Sequence, residues 1–212
     1  MSFKQPSTEE LCISLWKKGA VAFGKFKLTS GLESPYYIDL RVVPSHPTLF
    51  RNVCNVLAYL ATERVGLENF DKVAGIPTTG LIYATAVAVK LNKPLIYVRK
   101  QAKKHGMGKL VEGVLSEGER VLIVDDVVTT GSSILRAVQA IRGCGGIINN
   151  AVALIDREQG GAERLAREGV KLYTWLKVSE FFGILRRENV IDEERYVELS
   201  AYLAKFKGGL GV

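Results

Sequence analysis

The chain has 212 residues, of which 47% are hydrophobic and 24% are charged. This length suits one domain that buries roughly 70% of its unfolded surface, and the composition argues against extended disorder. No apolar run approaches the roughly 20 residues that span a bilayer. The first ten residues also lack the apolar core of a signal peptide, so the expected location is the cytoplasm.

The formal net charge of +7 is compatible with an anionic partner. That partner could be nucleic acid, an anionic membrane surface or a phosphorylated small molecule, and surface Lys and Arg can also be merely solubilising. The three cysteines, Cys12, Cys54 and Cys144, are an odd number without metal-binding spacing. They predict neither a disulfide framework nor a zinc site, and we expect all three to be buried as small apolar residues.

The N-terminal part predicts a helix followed by a hairpin. Ser7 and Glu10 form a capping-box pattern, which opens a helix that Gly19 ends. A strand-like pattern over residues 20–28 and a second one over 36–40 flank a turn. We expect a single domain in which residues 1–45 form a hood, 46–177 an α/β core and 178–212 C-terminal helices.

From residue 47 onward, apolar strands alternate with helical segments. A helix is predicted from Pro47 to Arg64. The predicted strands are 73–76, 95–98, 121–124 and 147–155, and further helices are predicted at 81–90, 132–142 and within 178–203. Such alternation is typical of an α/β domain with a largely parallel central sheet flanked by helices. Ligands then bind beyond the carboxyl ends of the strands.

The most informative segment is a buried strand that leads into Asp125 and Asp126 and then into a hydroxyl-rich loop opening a helix. The predicted phosphate-binding residues are Val127, Val128, Thr129, Thr130, Gly131, Ser132 and Ser133. Backbone N–H groups and hydroxyls at a helix start bind phosphate. Two carboxylates would repel phosphate, so we expect them to accept hydrogen bonds from ribose hydroxyls or to attract Mg²⁺ bound to a diphosphate. The alternative is a simple helix cap and turn.

This segment resembles the signature of the type I phosphoribosyltransferase family, which binds phosphoribosyl diphosphate. The resemblance implies that family's fold, with an N-terminal hood over the α/β core. It does not by itself identify the base that receives the ribose.

The segment 99–109 concentrates positive charge around two glycines. We interpret it as a lid over pyrophosphate, whereas charge alone would favour a solvated loop. The order of Arg99, Lys100, Lys103 and His105 resembles the catalytic loop of orotate phosphoribosyltransferases. That resemblance implies diphosphate contacts by these four residues, catalytic roles for Lys103 and His105, and a homodimer in which the loop enters the neighbouring site.

The sequence DREQGG at 156–161 follows a predicted strand. An arginine there can hold a planar carboxylate by two parallel hydrogen bonds, although an Asp-Arg surface ion pair is an equal alternative. The same element occurs in the orotate enzymes, and the resemblance implies that Arg157 binds orotate with Thr129 nearby. The segment 28–39 resembles their N-terminal ligand loop, which implies an orotate slot formed by Tyr37 and Ile38.

The sequence GIPTTG at 75–80 occupies the position of the family's pyrophosphate loop. The resemblance implies diphosphate contacts by Thr78 and Thr79 and a non-proline cis peptide. As a bare motif the sequence is equally a strand-to-helix turn.

Together, the resemblance implies a pentosyltransferase that moves the 5-phosphoribosyl group from phosphoribosyl diphosphate to orotate. The products would be orotidine 5'-phosphate and pyrophosphate, as part of pyrimidine biosynthesis, with Mg²⁺ as cofactor and neither nucleic acid nor membrane as partner. Two alternatives stay open. One is a phosphoribosyltransferase for a purine or another base, in which Arg157 would lack a carboxylate partner, and the other is a phosphoribosyl diphosphate sensor that binds nucleic acid.

Overall fold

A computed structural model describes residues 6–27, 33–99 and 110–206. The chain begins with helix α1 (Thr8–Lys17) and an antiparallel hairpin of β1 (Val21–Lys27) and β2 (Glu33–Ile38). The predicted capping box is present, because Glu10 N donates to Ser7 Oγ and Ser7 N donates to Glu10 Oε2, both at 3.1 Å. A 3₁₀ turn, Leu40–Ser45, then leads into the core.

Six strands form the main sheet. They are β3 (Lys72–Gly75), β4 (Leu95–Val98), β5 (Val111–Glu112), β6 (Arg120–Val128), β7 (Ile147–Asp156) and β8 (Lys171–Lys177). Their spatial order is β5-β4-β3-β6-β7-β8, and only β5 runs antiparallel to its neighbour. This confirms the predicted α/β class with a largely parallel sheet.

Helices cover both faces of the sheet. They are α2 (Pro47–Tyr59), α3 (Thr79–Leu91), α4 (Ser132–Arg142), α5 (Gly161–Arg167), α6 (Val178–Arg187) and α7 (Glu193–Ala204). One buried apolar cluster joins α2, α3 and α6 to the sheet through residues such as Leu57, Tyr83 and Phe181. A second cluster on α4 and α5 includes Ile141 and Leu165. Within the described ranges, no helix is long and apolar enough to cross a bilayer.

The structure departs from the sequence predictions at several elements. The helix predicted from Pro47 to Arg64 is α-helical only to Tyr59 and continues as a π-helical turn, Leu60–Val65. Strand β8 and helix α5 were not predicted. Strand β6 extends past the two aspartates to Val128, because Val127 and Val128 still pair with β7.

The prediction of three buried cysteines is wrong for one of them. Cys12 and Cys54 are buried, whereas Cys144 is exposed. Cys144 lies in the glycine-rich turn that joins α4 to β7, where the chain runs over the surface.

Candidate active site

The predicted ligand-binding elements meet at one edge of the sheet. Strands β3 and β6 are parallel neighbours, and the chain continues from β3 to β4 on one side and from β6 to β7 on the other. Their carboxyl ends therefore form the point where strand order reverses, which is where open α/β sheets bind ligands. The loops after β3, β6 and β7 carry Thr78, Thr129 and Arg157, respectively.

The loop after β6 forms a small cradle. Gly131 adopts a left-handed conformation with φ of 72° and precedes the first turn of α4. Thr130 Oγ1 and Ser132 Oγ are 2.9 Å apart. Around them is a cavity of about 150 Å³, lined by Asp125 and by residues 127–134. A helix N-terminus, hydroxyls and backbone N–H groups around such a space suit a phosphate group.

The two aspartates lie at the end of β6 in a dry environment. Asp125 is 7% exposed, and its Oδ1 accepts a hydrogen bond from Asp126 N at 3.0 Å. Burial, followed by repulsion from Asp126, raises the pKa of Asp125 well above its ordinary value. Burial also raises the pKa of Asp126. Backbone hydrogen bonds to both carboxylates do not outweigh this burial, so the pair is suited to accept further hydrogen bonds from a ligand.

The first turn of α3 packs directly against this acidic pair. A Cβ atom added at Gly80 would collide with Asp125 Oδ1, so glycine is required for this close approach. The preceding loop contains the expected non-proline cis peptide, between Pro77 and Thr78. A cavity of about 590 Å³ opens between this loop and α4. Residues of both elements line it, together with Arg99.

Arg157 lies directly after β7 and is only 6% exposed. Its backbone N donates to Val128 O at 2.8 Å, so it adjoins the cradle. Its Nε donates to Tyr36 Oη at 3.2 Å, and its Cζ lies 4.6 Å from the centroid of the Tyr36 ring. Nη2 is buried without a hydrogen-bond partner among the described residues. A buried, unpaired guanidinium nitrogen is costly unless an acceptor arrives.

The residues predicted to form the orotate slot lie on β2. Tyr37 is half-buried, its ring packs against Phe26 at 5.6 Å, and its hydroxyl accepts a hydrogen bond from Arg41 at 3.1 Å. Ile38 packs against the apolar core. The hairpin contacts Arg157 through Tyr36, and the orotate slot of Tyr37 and Ile38 stays a prediction.

Of the basic segment, only its start can be described. Arg99 follows β4, and its Nη1 lies 2.8 Å from Glu112 Oε1 in an ion pair. Lys100, Lys103 and His105 lie outside the described residues.

Sequence reasoning did not identify three residues that shape the site. Tyr36 contacts Arg157, and Gly80 packs against Asp125. Arg164 of α5 donates from Nη1 to Ser132 Oγ at 2.8 Å, which adds a cation at the rim of the cradle. Only Gly80 had a visible signal, as a glycine just inside a helix start. The other two contacts join residues distant in sequence.

Comparison with known proteins identifies the family. The phosphoribosyl transferase domain model matches residues 49–181. The orotate phosphoribosyltransferase of Cenarchaeum symbiosum is 49% identical over 159 residues, which cover 75% of this chain and 80% of the relative. That of Staphylothermus marinus is 40% identical over 199 residues, covering 94% and 96% of the two chains.

Solved structures agree with these sequence matches. The orotate phosphoribosyltransferase of Aeropyrum pernix superposes with a TM-score of 0.75 at 36% identity, covering 86% of this chain and 99% of that one. The UMP synthase of Leishmania donovani gives a TM-score of 0.83 at 32% identity, covering 94% of this chain but 43% of the longer enzyme. The predicted type I fold and enzyme class are thereby confirmed. The chain belongs to the phosphoribosyl transferase family and, within it, to the orotate phosphoribosyltransferases.

Proposed function

We propose that this site joins orotate to the ribose of phosphoribosyl diphosphate and releases pyrophosphate, giving orotidine 5'-phosphate for pyrimidine nucleotide synthesis. The observation that carries the choice of base is the buried, unpaired Nη2 of Arg157 next to the cradle. Orotate offers a planar carboxylate, which a guanidinium binds by parallel charge-assisted hydrogen bonds. Adenine and hypoxanthine carry no such group.

Each part of phosphoribosyl diphosphate has a matching element. The cradle residues 127–133 would bind the 5'-phosphate, with Arg164 at its rim. Asp125 and Asp126 would accept hydrogen bonds from the ribose hydroxyls, which would add donors to a pair whose pKa values burial raises. Thr78 and Thr79 would contact the diphosphate from the end of the loop after β3. The start of that loop lines the adjoining cavity, where Arg99 adds positive charge.

The residues present fit Mg²⁺ that arrives with the substrate. The described residues contain no group of three or more His, Cys, Asp or Glu side chains that could hold a metal by themselves. Mg²⁺ commonly binds one or two carboxylates plus substrate phosphates. Asp125 and Asp126 offer carboxylates in this arrangement, and bound Mg²⁺ would neutralise charge on the diphosphate.

The reaction requires no nucleophilic side chain. We propose that diphosphate departs from C1' with the bonding electron pair and that N1 of orotate captures the oxocarbenium-like ribose from the opposite face. The proton that N1 loses is released to solvent or to the diphosphate. The chain's contribution is positioning and electrostatic stabilisation. Arg157 and the cradle fix the two reactants, and the basic segment with Lys100, Lys103 and His105 would stabilise the departing charge and exclude water. His105 would donate a proton or a hydrogen bond, and Lys103 is expected to give the largest loss on substitution by alanine.

We further propose a homodimer with the basic segment shared across the interface. The outer face of α3 supports an interface, because Ile82 is 38% and Val89 79% exposed on a helix that is apolar on most sides. An all-round apolar helix is typical of a buried element. For location we propose the cytoplasm. All three cysteines are free, which is usual in a reducing compartment.

The direct test mixes protein, Mg²⁺ and phosphoribosyl diphosphate with one base at a time. Orotate should lose absorbance while pyrophosphate is released, and adenine and hypoxanthine should release none. Release only with a purine would overturn the assignment of Arg157. Salt-dependent binding to RNA or DNA without turnover would instead support the sensor alternative.

A further inference from the structure

Tyr36 belongs to an aromatic cluster that packs against Arg157, and it has no role in the mechanism proposed above. Tyr36 is fully buried, and its ring is fixed by edge contacts with Phe182 at 5.0 Å and Tyr202 at 5.8 Å. These neighbours come from α6 and α7, so the C-terminal helices hold the hairpin residue in place. A ring held from two sides in this way has little freedom to change its rotamer.

Tyr36 makes two different contacts with the same guanidinium. Its hydroxyl accepts a hydrogen bond from Arg157 Nε, and its ring lies under Arg157 Cζ. The Nε side of the guanidinium is therefore occupied by protein, whereas Nη2 has no partner in the part of the chain that the structure describes. A planar guanidinium that is fixed at one side and over one face has a defined direction for its remaining donors.

We propose that Tyr36 is a positioning residue that determines specificity for a carboxylated pyrimidine. It holds Arg157 so that the terminal nitrogens face the base, and the guanidinium is ordered before the ligand binds. This inference rests on the proposed role of Arg157 in binding the orotate carboxylate. Preorganised donors reduce the ordering cost of binding, so loss of Tyr36 should weaken recognition of the carboxylate specifically.

The test measures the carboxylate's contribution to binding separately from catalysis. Orotidine 5'-phosphate and uridine 5'-phosphate differ only in that group, and both present a 5'-phosphate to the cradle. The dissociation constant of uridine 5'-phosphate divided by that of orotidine 5'-phosphate, both measured by calorimetry, therefore reports recognition of the carboxylate. This quotient is called the ratio below. Tyr36→Phe keeps the ring and removes only the hydroxyl. We expect it to reduce the ratio roughly tenfold, at the lower end for a hydrogen bond to a charged group, with uridine 5'-phosphate affinity unchanged.

Tyr202→Phe is the matched control. It removes a hydroxyl that is also buried but has no hydrogen-bond partner among the described residues, and it keeps the ring that packs against Tyr36. It should leave the ratio within about twofold of the unmodified protein, in line with the small effect expected of a hydroxyl without a partner. An equal loss in both variants, or equal weakening of both nucleotides by Tyr36→Phe, would overturn the inference, because either result would indicate general loosening of the cluster.

Arg157→Gln separates this inference from the proposed function. If Arg157 binds the carboxylate, this variant should reduce the ratio by at least about thirtyfold, as expected when one partner of a buried charge pair is lost. An unchanged ratio would contradict the proposed role of Arg157 itself. A reduced ratio in Arg157→Gln together with an unchanged ratio in Tyr36→Phe would leave the proposed function intact and refute the role of Tyr36.

Discussion

A methyl group added at Gly161 should disturb the phosphate cradle without touching a ligand. Gly161 is the first residue of α5 and lies against the back of the loop that follows β6. A Cβ atom built there would collide with Thr129 O and would lie 2.7 Å from Val128 Cγ1 and 3.1 Å from Gly131 N. Two of these three atoms belong to the backbone of the cradle and cannot move alone.

The size of the effect follows from this overlap. Forcing an extra methyl group into packed structure costs about 1–3 kcal/mol. Because the strained atoms belong to the cradle, we expect most of the cost to oppose its phosphate-binding geometry. The KM for phosphoribosyl diphosphate in Gly161→Ala should then rise roughly 5- to 150-fold.

The assay is steady-state turnover with each substrate varied in turn, accompanied by thermal unfolding. Gly183→Ala is the matched control, because its added Cβ meets no atom within 4 Å and it lies inside helix α6. That change should be neutral or stabilise the protein by about 0.5–1 kcal/mol. An unchanged KM for phosphoribosyl diphosphate in Gly161→Ala would refute the argument that α5 supports the cradle.

Three further predictions concern ionisation and exposure. Asp125 has a raised pKa in the folded protein, so its ionised form destabilises the fold above that pKa, and the effect fades as pH falls toward the ordinary value of 3.8. In EDTA without ligands, Asp125→Asn should therefore raise the thermal midpoint by roughly 3–6 °C at pH 8, with a smaller gain at pH 5 and loss of turnover; a lower midpoint at pH 8 would contradict this reasoning. Iodoacetamide should modify Cys144 alone in the native protein, because Cys144 is exposed and burial raises the pKa of the Cys12 and Cys54 thiols to about 12. Mass spectrometry that finds Cys12 modified as fast as Cys144 would refute this selectivity. Arg120 lowers the pKa of Asp71 from 3.8 to about 2. The pair's small, solvent-screened contribution to the stability of the fold is therefore complete above pH 3.8 and is lost as pH falls through 2. Acid unfolding of Asp71→Asn should lack that component, and an acid unfolding profile equal to that of the unmodified protein would show that the pair contributes nothing.

Elements encoded within a few residues could be predicted from the sequence. The Ser7 and Glu10 capping box and the order of acids and hydroxyls from Asp125 to Ser133 depend on local sequence, and the structure contains both. The cis peptide before Thr78 is also present, but only the family resemblance implied it. Strand β8 was missed because it lies at a sheet edge. Six of its seven residues are not fully buried, and the strand has no clear apolar run, so the pattern is weak.

Contacts between distant segments could not be predicted in the same way. Tyr36 and Arg157 are 121 residues apart, and Arg164 and Ser132 are 32 residues apart. No spacing rule relates such residues, because the sheet order and the packing of α6 and α7 bring them together. The contact between Tyr36 and Arg157 was therefore not anticipated, whereas the orotate slot of Tyr37 and Ile38 stays a prediction.

The acidic pair should weaken binding of phosphate alone relative to a phosphorylated ribose. A bare phosphate in the cradle would lie close to the buried Asp125 carboxylate, with Asp126 next in sequence, and would bring no sugar hydroxyl to offset the repulsion. A phosphorylated ribose brings hydroxyl donors to the same carboxylates. Their hydrogen bonds offset the repulsion between the carboxylates and the phosphate. Affinity in this site therefore depends on both groups being present in one molecule. We infer that the aspartates, rather than the cradle, select for the ribosyl part of the substrate.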